Sequence, residues 1–410
     1  MAAKHRHVTY GSRIYTKLIA AWMILIMAVS LTACCSGGAA SGKDAKNARK
    51  QPIKPAAAGR DRTGTADEPF VGSRQGGYWP THGWRTSAPE EQGMDSGLLL
   101  KAHKRIIKNI YPHFHSLLVV RHGYLVFEQY YNGFSKDSLN GLQSGTKSVI
   151  SALIGIAIKK GYIQGTDQKL EEFFPEYYTG SIDPAKRDIR LKHLLTMSAG
   201  LEWEHTGDIR HRWEASGDKM KFAIQVPKVV AKPGETFKYN CSLSHLMSGI
   251  ITKKAGVSTL EFADRYLFGP LGIRKTAWLK DRNGYYLGDW GLDMLPRDMA
   301  KIGYLYLHKG SWDGRQILDP EWVRESTAKH MDGSMETFGY GYQWWTNKIG
   351  GHSFYMAWGT GGQNIFVFPD LDMVVVTTQE WLDFSSNQQV ADQQQAPFEL
   401  LGYYIVKAAE

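Results

Sequence analysis

Cysteine is scarce, with only Cys34, Cys35 and Cys241 in 410 residues. Disulfides cannot staple a chain of this length at that count, so its folded part must stand on a buried core. Neither paired Cys-x-x-Cys spacing nor His-Glu-x-x-His is present. His113, His115 and His122 lie near one loop without ligand spacing, so they read as solvated or packed histidines, and neither a metal nor an organic cofactor is expected. Long apolar runs are missing as well. The longest, Leu18–Val29, is short for a membrane span. Acidic residues are lacking at one end: residues 1–60 hold ten Lys/Arg and one acid, Asp44, an excess equal to the whole formal charge of +9. The remaining body is therefore neutral, and no nucleic-acid partner is expected despite the basic balance. No internal repeat is visible.

At the start of the chain, a basic segment ending at Lys17, the apolar run, and Leu31-Thr32-Ala33-Cys34 follow the order of a bacterial export signal. The small residues before Cys34 resemble a lipobox, which implies cleavage before Cys34 and lipid attachment to its sulfur. An uncleaved signal anchor is the other reading of the same run. The expected organisation is a lipoprotein signal at 1–33, a disordered tether at 34–76 rich in Gly, Ala, Ser, Lys and Pro, and a folded domain at 77–410. The expected location is the bacterial cell envelope, anchored to a membrane by the N-terminal lipid and facing the periplasm or exterior.

Within the domain, apolar residues at Leu98, Leu99, Ala102, Ile106 and Ile107 predict a helix. Ser116–Val120 and Tyr124–Glu128 predict a hairpin turning at His122-Gly123. Segments from about 151 to 290 read as mainly helical. Strand signals return at Tyr340–Trp345, Phe354–Trp358, Ile365–Phe368 and Met373–Thr378. Strands at both ends with helices between predict an α/β fold of the α+β type: one antiparallel sheet made from both chain ends, flanked by helices and carrying an inserted, mainly helical lobe.

Ser144-Gly145-Thr146-Lys147 stands at the head of the apolar helix pattern Val149–Ile158. Residues three apart share a helical face, so Lys147 falls beside the Ser144 hydroxyl, at a helix start whose free N–H groups favour a developing oxyanion. A serine hydroxyl is a weak nucleophile and needs both a base and oxyanion donors. Lys147 can be that base only where its surroundings leave it neutral. Tyr239 follows the Pro233-Gly234 turn and opens a second helix pattern. Trp358-Gly359-Thr360-Gly361-Gly362-Gln363 is a glycine loop between strands, where backbone N–H groups can be approached closely. A Ser N-cap, a packed tyrosine and a bulge are the structural alternatives. Ser326–Lys329 also spells Ser-x-x-Lys, but no long apolar helix follows it, so it reads as a surface helix end.

Together and in this order, these elements resemble the serine β-lactamase and penicillin-binding superfamily, particularly the class C-like branch that includes esterases and 6-aminohexanoate-dimer hydrolases. The resemblance runs from about residue 80 to the C-terminus. It implies Ser144 as the acylated nucleophile, Lys147 as its general base or proton partner, Tyr239 as proton shuttle to the leaving group, and the N–H groups of Ser144 and Thr360 as the oxyanion hole. Gly359, Gly361, Cys241 and Trp358 are implied as substrate-binding positions. Two departures stand out. The family's Tyr-x-Asn reads Tyr239-Asn240-Cys241, and its Lys/His-Thr-Gly reads Gly359-Thr360-Gly361. An amide and a cation that help hold a β-lactam are therefore missing, which favours a small amide or ester as substrate. A β-lactamase or D-Ala-D-Ala carboxypeptidase, a non-catalytic envelope-binding module, and a reactive Cys241 thiol are the rival readings.

Overall fold

Leu117–Val120 is apolar on both faces, and the strand it lies in is covered on both sides. In the computed structural model, residues 78–180, 182–205, 207–334, 337–381 and 387–410 are described. The expected signal, Cys34 and the tether lie outside them. Helix α1 (Ser96–Ile107) starts at the Asp95 cap and leads into strands β1 (Phe114–Arg121) and β2 (Tyr124–Tyr130). Their turn places His122 and Gly123 at φ +49° and +77°, the left-handed pair that a two-residue hairpin requires. Short β3 (Asn140–Gly141), β4 (Thr276–Trp278) and β5 (Leu292–Met294) form a small sheet of their own. The late strands are β6 (Met331–Asp332), β7 (Gly339–Tyr340), β8 (Trp345–Ile349), β9 (His352–Gly359), β10 (Gln363–Phe368) and β11 (Met373–Gln379).

One eight-stranded sheet runs in the order β2-β1-β11-β10-β9-β8-β7-β6. Every pairing is antiparallel, and the two chain ends meet where Leu118 faces Val376 and Val119 faces Val375. The expectation of an antiparallel sheet built from both chain ends holds for this main sheet.

Helices cover both faces of this sheet. Helix α2 (Thr146–Lys159) and helix α3 (Cys241–Ala255) pack against each other, with α2 also meeting β9 of the sheet, and nearly every residue of their first three turns is buried. A helix buried on all sides carries either apolar side chains or polar ones with internal partners, as Ser148, Ser244 and Ser248 have here. Helix α4 (Pro296–Leu307) lies on the face carrying Ile365, Val367 and Val374. It sits so close that a Cβ on Gly303 would be 2.6 Å from Val374 Cγ1. On the opposite face, Phe398 of helix α5 (Asn387–Leu400) packs against Trp358 and Phe366.

The run Tyr340–Trp345 differs from expectation. It is two strands with a turn between them, because Gly341 N–H donates to Trp344 O and Gln343 adopts φ +64°. Alternation among aromatic residues hid that turn. Between residues 151 and 290 the chain is mainly helical, with β4 the main exception.

Candidate active site

The segment before α2 is strained. Gln143 holds φ +51°, and Gln143–Gly145 forms a 3-10 turn, so Ser144 sits just ahead of the α-helix rather than within its first turn. Ser144 is 4% exposed and Lys147 is 1% exposed. Lys147 Nζ donates to Ser144 Oγ at 3.1 Å and to the carbonyl of Asp289 at 2.7 Å. The long lysine stem is thereby packed inside the protein while its amine is held against the hydroxyl.

Tyr239 comes from the segment just ahead of α3. Asn240 is the N-cap of α3: its side-chain Oδ1 accepts from the Ser242 N–H at 2.9 Å and from Ser242 Oγ at 2.7 Å. The amide oxygen of the asparagine beside Tyr239 is thus engaged in starting the helix, while its buried Nδ2 has no partner among the described residues. The Tyr239 ring lies 5.0 Å from Lys147 Nζ, with Trp345, Tyr340 and His205 around it at centroid distances of 5.7, 6.3 and 5.6 Å. The phenol-bearing ring and the amine therefore stand together, although 92 residues of sequence separate them.

The glycine loop docks on the Ser144 turn. A Cβ on Gly359 would overlap Leu142 O and approach Gln143 Cβ to 3.1 Å, so only glycine lets the Thr360 peptide come this near. Gly361 holds φ +82°. Thr360 is buried, and its Oγ1 has no hydrogen-bond partner among the described residues. Cys241, fully buried at the first position of α3, is inaccessible as a thiol. Trp358 also turns inward, into a cluster with Phe338, Trp345 and Phe398, so it builds the core behind the loop rather than the cleft surface. His115 stacks on Phe134 at 3.5 Å and bonds Asn140 through Nδ1; burial lowers its pKa.

Three contributors carry no local signal in the sequence. Asp289 supplies a main-chain carbonyl, which any residue has. Its loop is pinned to α3, where His245 Nε2 meets Asp281 Oδ2 at 3.0 Å and Ser248 Oγ donates to Tyr286 O at 2.7 Å. Burial works to raise the Asp281 carboxyl, but hydrogen bonds from His245 and from the Tyr285 and Asn283 N–H groups outweigh it and hold the carboxyl below its usual range. The third is Gln343. Its Oε1 accepts from Ser244 Oγ of α3 at 2.7 Å, and its Nε2 donates to Leu194 O and Leu195 O at 3.0 and 2.9 Å. Its own carbonyl accepts from Ser148 Oγ of α2 at 2.7 Å. One residue ties the two central helices to the sheet-side turn, α3 through its side-chain amide and α2 through its main-chain carbonyl.

A lysine amine buried on a serine hydroxyl, beneath a docked glycine loop and an antiparallel sheet, is the architecture of a serine hydrolase of the β-lactamase and penicillin-binding type. The family model described as Beta-lactamase matches residues 115–395, and the chain belongs to that family. A 6-aminohexanoate-dimer hydrolase of Paenarthrobacter ureafaciens is 24% identical over 294 residues, covering 65% of this chain and 73% of the relative. A candidate 6-aminohexanoate-dimer hydrolase from Bacillus anthracis superposes with a TM-score of 0.60 at 21% identity, over 74% of this chain and 80% of its own. The octameric penicillin-binding protein homologue from Pyrococcus abyssi gives 0.56 at 20% identity, over 77% and 79%.

Proposed function

We propose that this protein cleaves a small amide or ester through an acyl-enzyme on Ser144, in the manner of a 6-aminohexanoate-dimer hydrolase or related esterase. The observation that carries it is the 3.1 Å contact between the buried Lys147 amine and the buried Ser144 hydroxyl. In the first half-reaction Ser144 Oγ bonds to the substrate carbonyl carbon as its proton passes to Lys147. The carbonyl electron pair moves onto oxygen, facing the N–H groups of Ser144 and Thr360. The oxyanion then collapses, the bond to the leaving group breaks, and Tyr239 delivers the proton to the departing amine or alcohol. Water repeats the sequence to release the acid and restore Ser144.

The capping role of Asn240 and the absence of a cation before Thr360 favour a linear substrate over a β-lactam. Hydrolysis of p-nitrophenyl butyrate and of the linear 6-aminohexanoate dimer, measured beside nitrocefin, tests the substrate class. Turnover of the first two should exceed that of nitrocefin, and should vanish in Ser144→Ala. Undiminished turnover in Ser144→Ala would overturn the assignment.

The full chain is further proposed to be exported, cleaved before Cys34 and held to the membrane by lipid on Cys34, with residues 34–76 as tether to the hydrolase domain at 77–410. Metabolic labelling with radioactive palmitate should mark the parent protein and not Cys34→Ser. Equal labelling of both would reject the anchor.

A further inference from the structure

The loop that carries Thr360 is held by residues with no part in the acyl-transfer steps. Gly359 O accepts from the Gly362 N–H at 3.2 Å, so Gly359–Gly362 is a tight turn, with Gly361 at φ +82°, a left-handed value that glycine takes readily. Glycine at 359, 361 and 362 lets the turn come close to its neighbours, and it also leaves the peptides free to rotate unless something fixes them. Helix α5 supplies a fixing group. Gln393, only 4% exposed, aims its Nε2 at two carbonyls at once, donating to Gly361 O at 3.0 Å and to Glu380 O just beyond β11.

Only the nitrogen end of that amide can face two carbonyls, and both of its N–H groups are used there. Its Oε1 has no partner among the described residues, so the amide acts on the loop through donation alone. From the strand side, Thr377 Oγ1 donates to Gly362 O at 2.9 Å. Gln379 Nε2 fills the space that a Cβ on Gly362 would take, and donates to the main-chain carbonyl of Gln393 at 3.2 Å. The turn is thus gripped at two successive carbonyls, Gly361 from α5 and Gly362 from β11. Packing of Phe398 on Trp358 and Phe366 anchors α5, and with it the first grip, in the core. Without the Gln393 donors, Gly361 O and Glu380 O would point into the same space with like dipole ends together and no donor between them. The easiest relief is rotation of the glycine peptides, which shifts the neighbouring Thr360 N–H as well.

We infer that Gln393 is a positioning residue for the oxyanion hole, acting through the Gly361 peptide to hold the Thr360 N–H where negative charge develops on the substrate oxygen. This rests on the serine-hydrolase assignment above. A ground-state carbonyl carries far less charge than the oxyanion that follows it, so a misplaced donor weakens the transition state more than the bound substrate. The effect of Gln393 therefore falls on kcat rather than on KM.

The test uses the full chain with p-nitrophenyl butyrate and two inhibitors, propyl trifluoromethyl ketone and the secondary alcohol made by reducing it. Ser144 Oγ adds to the ketone carbon, its proton passes to Lys147 and the carbonyl electron pair moves onto oxygen, whereas the alcohol fills the same site without an oxyanion. Gln393→Met has similar length and no donors. It should lower kcat, counted per fluorophosphonate-titrated site, by about tenfold or more with KM within about threefold of the parent. The preference for ketone over alcohol, taken as the ratio of their inhibition constants, should fall by a similar factor. Gln393→Glu puts an oxygen where the donor was and should lower that ratio at least as far. Gln394→Met is the control, because that neighbour is equally buried on α5 while its amide bonds neither carbonyl, and its ratio should match the parent. Inhibition constants do not depend on the folded fraction, so partial misfolding does not hide the answer. A parent-like ratio in the Gln393 variants, equal losses for ketone and alcohol, or an equal shift in Gln394→Met would overturn the positioning role. Ser144→Ala measured in parallel separates the two claims. Turnover and ketone preference that persist there sink the hydrolase assignment, whereas Ser144-dependent turnover with an unaltered ketone preference in Gln393→Met sinks the positioning role alone.

Discussion

The chain spells Ser-x-x-Lys twice, and the two copies live in different physical worlds. Ser144 and Lys147 stand at the start of a buried helix, with the amine on the hydroxyl and on the Asp289 carbonyl. Ser326 and Lys329 stand at the end of the helix Pro320–Thr327. There the hydroxyl donates to Val323 O at 3.2 Å, and the amine is out in solvent, paired with Asp332 at 2.5 Å. The spacing is identical. Both serines are buried; what differs is helix position and the burial of the lysine, and those decide whether a lysine meets a serine or a neighbouring acid. A surface ion pair of the second kind contributes little.

The largest way to break this contrast is at the first copy. Ser144→Ala and Lys147→Ala should each lower kcat/KM on a p-nitrophenyl ester by roughly a thousandfold or more, whereas Lys329→Ala should change it less than about twofold. Equal effects at the two copies would dissolve the distinction. Tyr239→Phe keeps the ring against Trp345 and removes only the hydroxyl. It should cost about a hundredfold in kcat with little change in melting temperature, read by steady-state kinetics beside thermal unfolding.

Next comes the frame that holds the first copy in place. Gln343→Leu strands Ser244 Oγ and takes one of the N–H donors from each of Leu194 O and Leu195 O, which keep backbone donors, and should destabilise by about 2 kcal/mol in chemical denaturation, with activity falling as the hold on α3 loosens.

The smallest effect is a pH dependence close by. Burial, followed by the charges of Lys192 and Arg190, brings the His193 pKa down to about 4 from 6.5. Between those values the unfolded chain binds a proton that the folded one refuses, so stability is complete above about pH 6.5 and declines as pH falls toward 4. His193→Gln should flatten the melting temperature against pH across that window. An unchanged slope would remove His193 as its source.

How much of this was legible depended on distance along the chain. The Ser144–Lys147 contact is local, and three-residue spacing on a helix is written directly in the letters. The sheet was also legible, because Ser116–Val120 and Met373–Thr378 are strand-like whatever lies between them. The turn at Gly341–Trp344 was not, since Tyr340, Tyr342, Trp344 and Trp345 read as one strand and the left-handed Gln343 is not a glycine. Gln343 itself looked ordinary because its partners lie 99 to 195 residues away. Asp289 acts through a carbonyl that no residue type announces. Trp358 was attractive for its place beside the glycine loop, yet strand alternation turns it into the aromatic core against Phe398. Asn240 sits one position from the family's amide, and there the need for a helix cap determines where its side chain points.

The most direct test is where a fluorophosphonate lands on the full chain. Peptide mapping by mass spectrometry should find one adduct, on Ser144, blocked in Lys147→Ala and absent from Ser326. Labelling of Ser326, or ester turnover that continues with Ser144 fully modified, would contradict the account.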